Sequence, residues 1–86
     1  MYKIIYSSQA QKDAKKANKA GLKNNIQKLI EILQNNQYQN PPPFEKLLGD
    51  LLGSYSRRIN IQHRLVYQIY EDEKIVKIIR MWLHYE

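Results

Sequence analysis

Three consecutive prolines, Pro41-Pro42-Pro43, split the chain into two stretches whose apolar residues keep different periods. Proline removes the backbone donor and fixes φ, so no regular helix crosses this point. Before the break, Leu22, Ile26, Leu29, Ile30 and Leu33 recur at helical spacing while Lys23, Asn24, Gln27 and Lys28 face away, which predicts an amphipathic helix. Further upstream, Ala10, Ala14 and Ala17 share one face, with Lys12, Lys15, Lys16 and Lys19 around it. That pattern predicts a helix lying flat on its small residues, with lysine stems covering its flanks. Ser7-Ser8 supply its N-cap and Gly21 its C-cap. Tyr2 to Tyr6, rich in aromatic and β-branched residues, reads as a short strand ahead of this helical hairpin.

After the break the period becomes two. Tyr55, Arg57, Ile59 and Ile61 alternate with Ser56, Arg58 and Asn60, a strand pattern. His63 to Tyr70 forms a second strand, Glu71-Asp72-Glu73 a polar turn, and Lys74 to about Leu83 a third. Residues 35–53 are expected to be an ordered connection without strand or helix, with Gly49 and Gly53 allowing sharp turns. Short links between consecutive strands make the sheet antiparallel. The predicted class is α+β, in the order β-α-α-β-β-β: one antiparallel sheet packed on a helical hairpin, as a single domain over residues 1–86.

A chain of 86 residues buries only about 60% of its unfolded surface, so function belongs on an exposed face or groove. The net charge of +6 favours a polyanionic partner such as nucleic acid. With no cysteine and two histidines, disulfides and thiolate metal sites are excluded, a structural zinc site is argued against, and no cofactor is expected. The N-terminal residues carry no signal-peptide apolar stretch and no run reaches membrane-spanning length, so a cytoplasmic protein without membrane contact is expected.

One helical hairpin covers one face of a sheet, leaving the other to meet water or a ligand. By strict alternation Arg80, Trp82 and His84 share a face of the last strand. An arginine, an indole and an imidazole together suit phosphate neutralisation and base stacking; equally, the pattern allows Trp82 as core and Arg80 as a solvated charge. Arg57 and Arg58 point to opposite faces of their strand. His63 reads as a structural or strand-end polar residue, and no chemistry is assigned to it.

The stretch Leu52-Gly53-Ser54-Tyr55-Ser56-Arg57-Arg58-Ile59, followed by His63-Arg64-Leu65-Val66-Tyr67 and the near-terminal pair His84-Tyr85, resembles the YoeB/Txe toxins of the RelE/ParE superfamily. The resemblance runs over essentially the whole chain and implies a RelE-like fold and a toxin of a type II toxin–antitoxin pair. It also implies cleavage of mRNA in the ribosomal A site, beside the 16S rRNA, and so inhibition of translation. The expected partners are an antitoxin similar to YefM or Axe, which folds on binding, and a second copy of the chain. DNA is reached only through the complex with the antitoxin, as a repressor of its own operon.

Position by position, the resemblance places the catalytic glutamate at Glu45, the phosphate-binding arginine at Arg64 and the near-terminal His-Tyr pair at His84 and Tyr85. Arg58 corresponds to the arginine of the preceding strand, with Arg57 beside it. Some relatives carry a lysine and a histidine where this chain has Leu48 and Gly49, which leaves Lys46 as the nearest cation. Expected RNA contacts are therefore Lys46, Arg57, Arg58, Arg80 and Trp82.

Metal-independent RNA cleavage needs a base for the 2′-hydroxyl, an acid for the leaving 5′-oxygen, and cations for the transition state. Glu45 suits the first role. His84 suits the second, since an imidazole with a pKa of about 6.5 exchanges its proton near neutrality. Arg64 suits the third, through its planar fork of donors. Arg58 adds charge stabilisation, and Tyr85 can orient the phosphate or stack on a base. Two rival readings share the fold: a ParE-like inhibitor of DNA gyrase, and a non-catalytic RNA-binding module that blocks the ribosome.

Overall fold

The computed structural model describes residues 1–49 and 53–84, with Leu83 and His84 described by their backbone alone. Lys3–Tyr6 form β1, Ser8–Lys19 α1, Lys23–Asn35 α2, Phe44–Lys46 β2, Tyr55–Arg58 β3, His63–Tyr70 β4 and Ile75–His84 β5.

The helical hairpin follows its sequence signals. Ser7 caps α1, its Oγ accepting the Ala10 N–H at 3.0 Å, and Gly21 takes a left-handed φ of 77° just past the helix end, where glycine meets no Cβ penalty. Ala10 and Ala17 are fully buried, so α1 lies close against the sheet. From α2, Ile26, Leu29 and Leu33 enter the same core. They meet Leu65 and Tyr67 of β4 and Val76 and Ile78 of β5. Burying an aliphatic side chain of this size stabilises by about 1.5–3 kcal/mol, and this layer between helices and sheet carries the fold.

Five strands form one sheet in the order β1-β5-β4-β3-β2. The sheet is mixed rather than wholly antiparallel: β1 runs parallel to β5, from Lys3 opposite Ile75 to Tyr6 opposite Ile78. Short connections dictate antiparallel pairing only for strands adjacent in the chain, and the hairpin frees β1 from that rule. The fifth strand is β2, inside the connection expected to be irregular. It has three residues directly after the prolines, too few for any period to show. Ile61, counted in the alternating pattern of β3, is 88% exposed. The strand stops at Arg58, and Asn60 Oδ1 accepts the backbone N–H groups of Gln62 and His63 at 2.9 and 2.7 Å, closing a turn that carries Ile61 outward.

Candidate active site on the face away from the helices

Register fixes which side chains meet. Leu65 and Tyr67 of β4 face the helices, so Arg64 and Val66 face away. Ser56 of β3 stands opposite Val66 and Glu45 of β2 opposite Ser56, while Arg58 stands opposite Arg64. Three strands thus bring Glu45, Ser56, Arg58 and Arg64 onto one face. Arg64 Nη1 donates to Ser56 Oγ at 3.1 Å and lies 3.4 Å from Glu45 Oε2. The arginine is buried, whereas the Glu45 side chain is 58% exposed. A guanidinium held at the sheet surface therefore faces a carboxylate open to solvent. Like charges opposite one another destabilise a sheet, so the pairing of exposed Arg58 with Arg64 marks a surface suited to an anion.

This face is not bare. Val66, Ser56 and Ser54 are all buried, and Gln68 Nε2 donates to Ser54 Oγ at 3.2 Å. Nor does strict alternation hold along β5. The register slips between Val66 and Tyr67 and again between Arg64 and Val66, so that Val66 opposes Arg80 and Arg64 opposes Leu83. Each slip inserts an extra residue into β5, which is a β-bulge. Arg80 and Trp82 consequently do not form one surface. Arg80 Nε donates to Asp13 Oδ2 of α1 at 2.8 Å, while the Trp82 ring stacks on His63 with centroids 3.8 Å apart and planes 26° from parallel. The backbone of His84 pairs with His63, next to Arg64. Tyr85 lies outside the described residues.

His63, to which the sequence reading assigned no chemistry, is buried; it precedes Arg64 in β4 and shares the parity of Leu65 and Tyr67, on the opposite face from Arg64. Its Nδ1 is 3.3 Å from Asn60 Oδ1, the oxygen that already accepts two backbone N–H groups.

Arg57 does not serve as an RNA contact. It is fully buried on the helix side, where Nε donates to Tyr67 Oη at 3.0 Å, Nη2 to the Gln37 carbonyl at 3.0 Å and Nη1 to the Pro42 carbonyl. Its guanidinium carbon sits 4.9 Å from the centre of the Phe44 ring. This arginine ties the proline segment to the sheet, and so fixes the strand that carries Glu45. Burial pushes the Tyr67 hydroxyl upward, opposed by the adjacent Arg57 charge. Lys46 is exposed at the end of β2, on the alternate side of that strand from Glu45.

Sequence reasoning also passed over Asp13. It is fully buried, and its signal was available: an acid at the helical spacing of Ala10 and Ala17, inside the apolar stripe of α1. Burial alone would raise its pKa. Hydrogen bonds from Arg80, Gln9 and the Met81 N–H, with the Arg80 charge, outweigh that and hold it below the ordinary carboxylate value.

Among the described residues, no group of three or more acids, histidines or cysteines is placed to hold a metal ion. No described helix is long and apolar enough to cross a membrane.

Residues 6–85 match the model of the YoeB-like toxins of bacterial type II toxin–antitoxin systems. The chain belongs to the YoeB-like toxin family. Toxin YoeB of Mycobacterium bovis is 38% identical over 60 residues, covering 70% of this chain and 68% of that one. The toxin is also similar in structure to the heterotetrameric YoeB–YefM toxin–antitoxin complex from Staphylococcus aureus, with a TM-score of 0.81 and 33% identity over 99% of both chains. A YoeB dimer from the same organism aligns at a TM-score of 0.80, with 32% identity over 98% of both chains.

Proposed function

We propose that this toxin is a ribosome-dependent endoribonuclease that cuts mRNA in the A site and so stops translation. The observation that carries the reading is the Glu45–Arg64 pair beside Arg58 on the face away from the helices, in a chain of the YoeB-like family.

The chemistry follows from those groups. Glu45 removes the proton of a ribose 2′-hydroxyl; the 2′-oxygen attacks the adjacent phosphorus; the bond to the 5′-oxygen breaks as His84 protonates it. The products are a 2′,3′-cyclic phosphate and a free 5′-hydroxyl. Arg64 and Arg58 bind the phosphate oxygens as negative charge builds in the transition state. A base, an acid and fixed cations suffice for this path, so it is metal-independent. Glu45 pairs with Arg64 at 3.4 Å; an arriving phosphate displaces the carboxylate from the guanidinium and frees it to act as base. Tyr85 follows the acid in sequence and is assigned to the phosphate or to a base stack. Lys46 contributes charge to the approach of RNA.

A YefM-like antitoxin and a second copy of the toxin are the proposed protein partners, as in the complex and the dimer described for the Staphylococcus aureus protein. The proposed site of action is the cytoplasm, where the ribosome is.

The test is to add the purified toxin to ribosomes carrying a defined mRNA and map the new 3′ ends. Cuts confined to the A-site codon are expected. Arrest with intact mRNA would indicate a ribosome blocker instead, and gyrase-linked DNA breaks a ParE-like activity.

A further inference from the structure

Pairing between β1 and β5 ends at Tyr6 opposite Ile78, yet β5 runs on to His84. Along that remaining length α1 replaces the missing strand. Ser7 Oγ donates to the Ile79 carbonyl at 2.8 Å. Asp13 Oδ2 accepts the N–H groups of Met81 and Trp82 at 3.0 and 3.3 Å. In a regular strand consecutive N–H groups point to opposite edges, so two on one oxygen is a bulge held open by a side chain. The same oxygen takes Arg80 Nε at 2.8 Å, while Oδ1 takes Gln9 Nε2 at 2.9 Å. Each carboxylate oxygen is therefore engaged, in a position closed to water.

The bulge has a consequence for the site. It sets the slip that brings Leu83 opposite Arg64 and His84 opposite His63; without it each later residue of β5 would change faces. It also seats Trp82 on His63.

We infer that Asp13 is a positioning residue for the ribonuclease reaction, holding the bulged end of β5 so that its backbone stays in register with His63 and Arg64 of β4. The inference rests on the ribonuclease reading for its effect on rate, but not for its effect on the strand.

The experiment reads two signals in each full-length variant: mRNA cleavage on programmed ribosomes, and the emission of Trp82, the one tryptophan of the chain. Asp13→Asn keeps an acceptor for the strand but turns an amide toward Arg80. Arg80→Met removes the guanidinium while leaving the carboxylate on Met81 and Trp82, and decides the matter if Asp13→Asn does not fold. Gln9→Ala removes a bond to the oxygen that does not touch β5. For Asp13→Asn the expected result is a red-shifted Trp82 emission and a maximal cleavage rate lower by about 100-fold, the cost of a small misplacement of a reacting group. The half-saturating ribosome concentration should stay unchanged. Arg80→Met should shift the emission in the same direction by less, and Gln9→Ala should match the parent in both signals. Parental emission and parental rate in Asp13→Asn, or parental emission in Arg80→Met where the first variant is unfolded, would overturn the inference. A parent chain that cuts no mRNA would instead overturn the ribonuclease reading, and the emission would still report whether Asp13 holds the strand.

Discussion

Nη1 of Arg64 lies 3.4 Å from Oε2 of Glu45 and 3.1 Å from Oγ of Ser56, so residues from β2, β3 and β4 converge on one guanidinium. The arginine is buried and hydrogen-bonded, hence fixed in place; the carboxylate is exposed, hence able to move away.

Glu45→Gln should separate chemistry from folding. Removing the base should lower A-site cleavage by about 100- to 10,000-fold. Stability should change by no more than about 0.5 kcal/mol, as for other exposed positions. Cleavage kinetics alongside a urea transition checks both. Cleavage at the parental rate would remove Glu45 from the mechanism.

Arg64→Lys keeps the charge but not the planar fork. Cleavage should drop steeply, whereas binding to the ribosome, which draws on the whole net charge of +6, should fall little. A sedimentation assay beside the cleavage assay makes the comparison.

For His84→Ala, loss of cleavage is expected with both the fold and antitoxin binding retained. Circular dichroism and co-purification with the antitoxin test the second half of that expectation. Full cutting by the variant would mean that another group protonates the leaving oxygen.

Arg57→Met should act on stability and not on RNA contact. The change strands the Gln37 and Pro42 carbonyls and the Tyr67 hydroxyl, each costing about 1–3 kcal/mol if left unpaired. A loss of about 3 kcal/mol or more is expected from the urea midpoint. An unchanged midpoint would show that the proline segment is held by something else.

Asp13 gives the stability a defined acid limb. Its pKa is depressed in the folded chain, so its contribution is complete above the unfolded value of about 4 and is lost as pH falls through the folded value. The parent should therefore lose stability below about pH 4 more steeply than Asp13→Asn, in urea transitions taken across that range. Parallel acid limbs for the two proteins would contradict the assignment.

The helical hairpin was legible because its spacing, caps and small residues all agree, and Ala10, Ala17, Ile26 and Leu33 are buried as their positions require. The strands β3 to β5 were legible from alternation and polar turns. What alternation could not reveal is a bulge: the extra residues in β5 leave no trace in the order of apolar and polar letters, so Arg80, Trp82 and His84 looked like one surface. Three-residue β2 was hidden for a different reason, since its pairing with β3 is a property of the distant strand. The family resemblance pointed to Glu45 and Arg64, but only the register puts them within 3.4 Å. Arg57 and Arg58 show the limit of charge counting: one is anchored under the sheet and the other is exposed, although they are neighbours in the chain.

The place of β5 between β1 and β4 also orders the toxin's own birth. Of the described elements β5 is the last to leave the ribosome, yet it is the strand that joins β1 to β4 and carries the backbone of His84 to His63. Until it emerges, β1 and the β2–β4 meander have no common partner and the proposed acid has no seat.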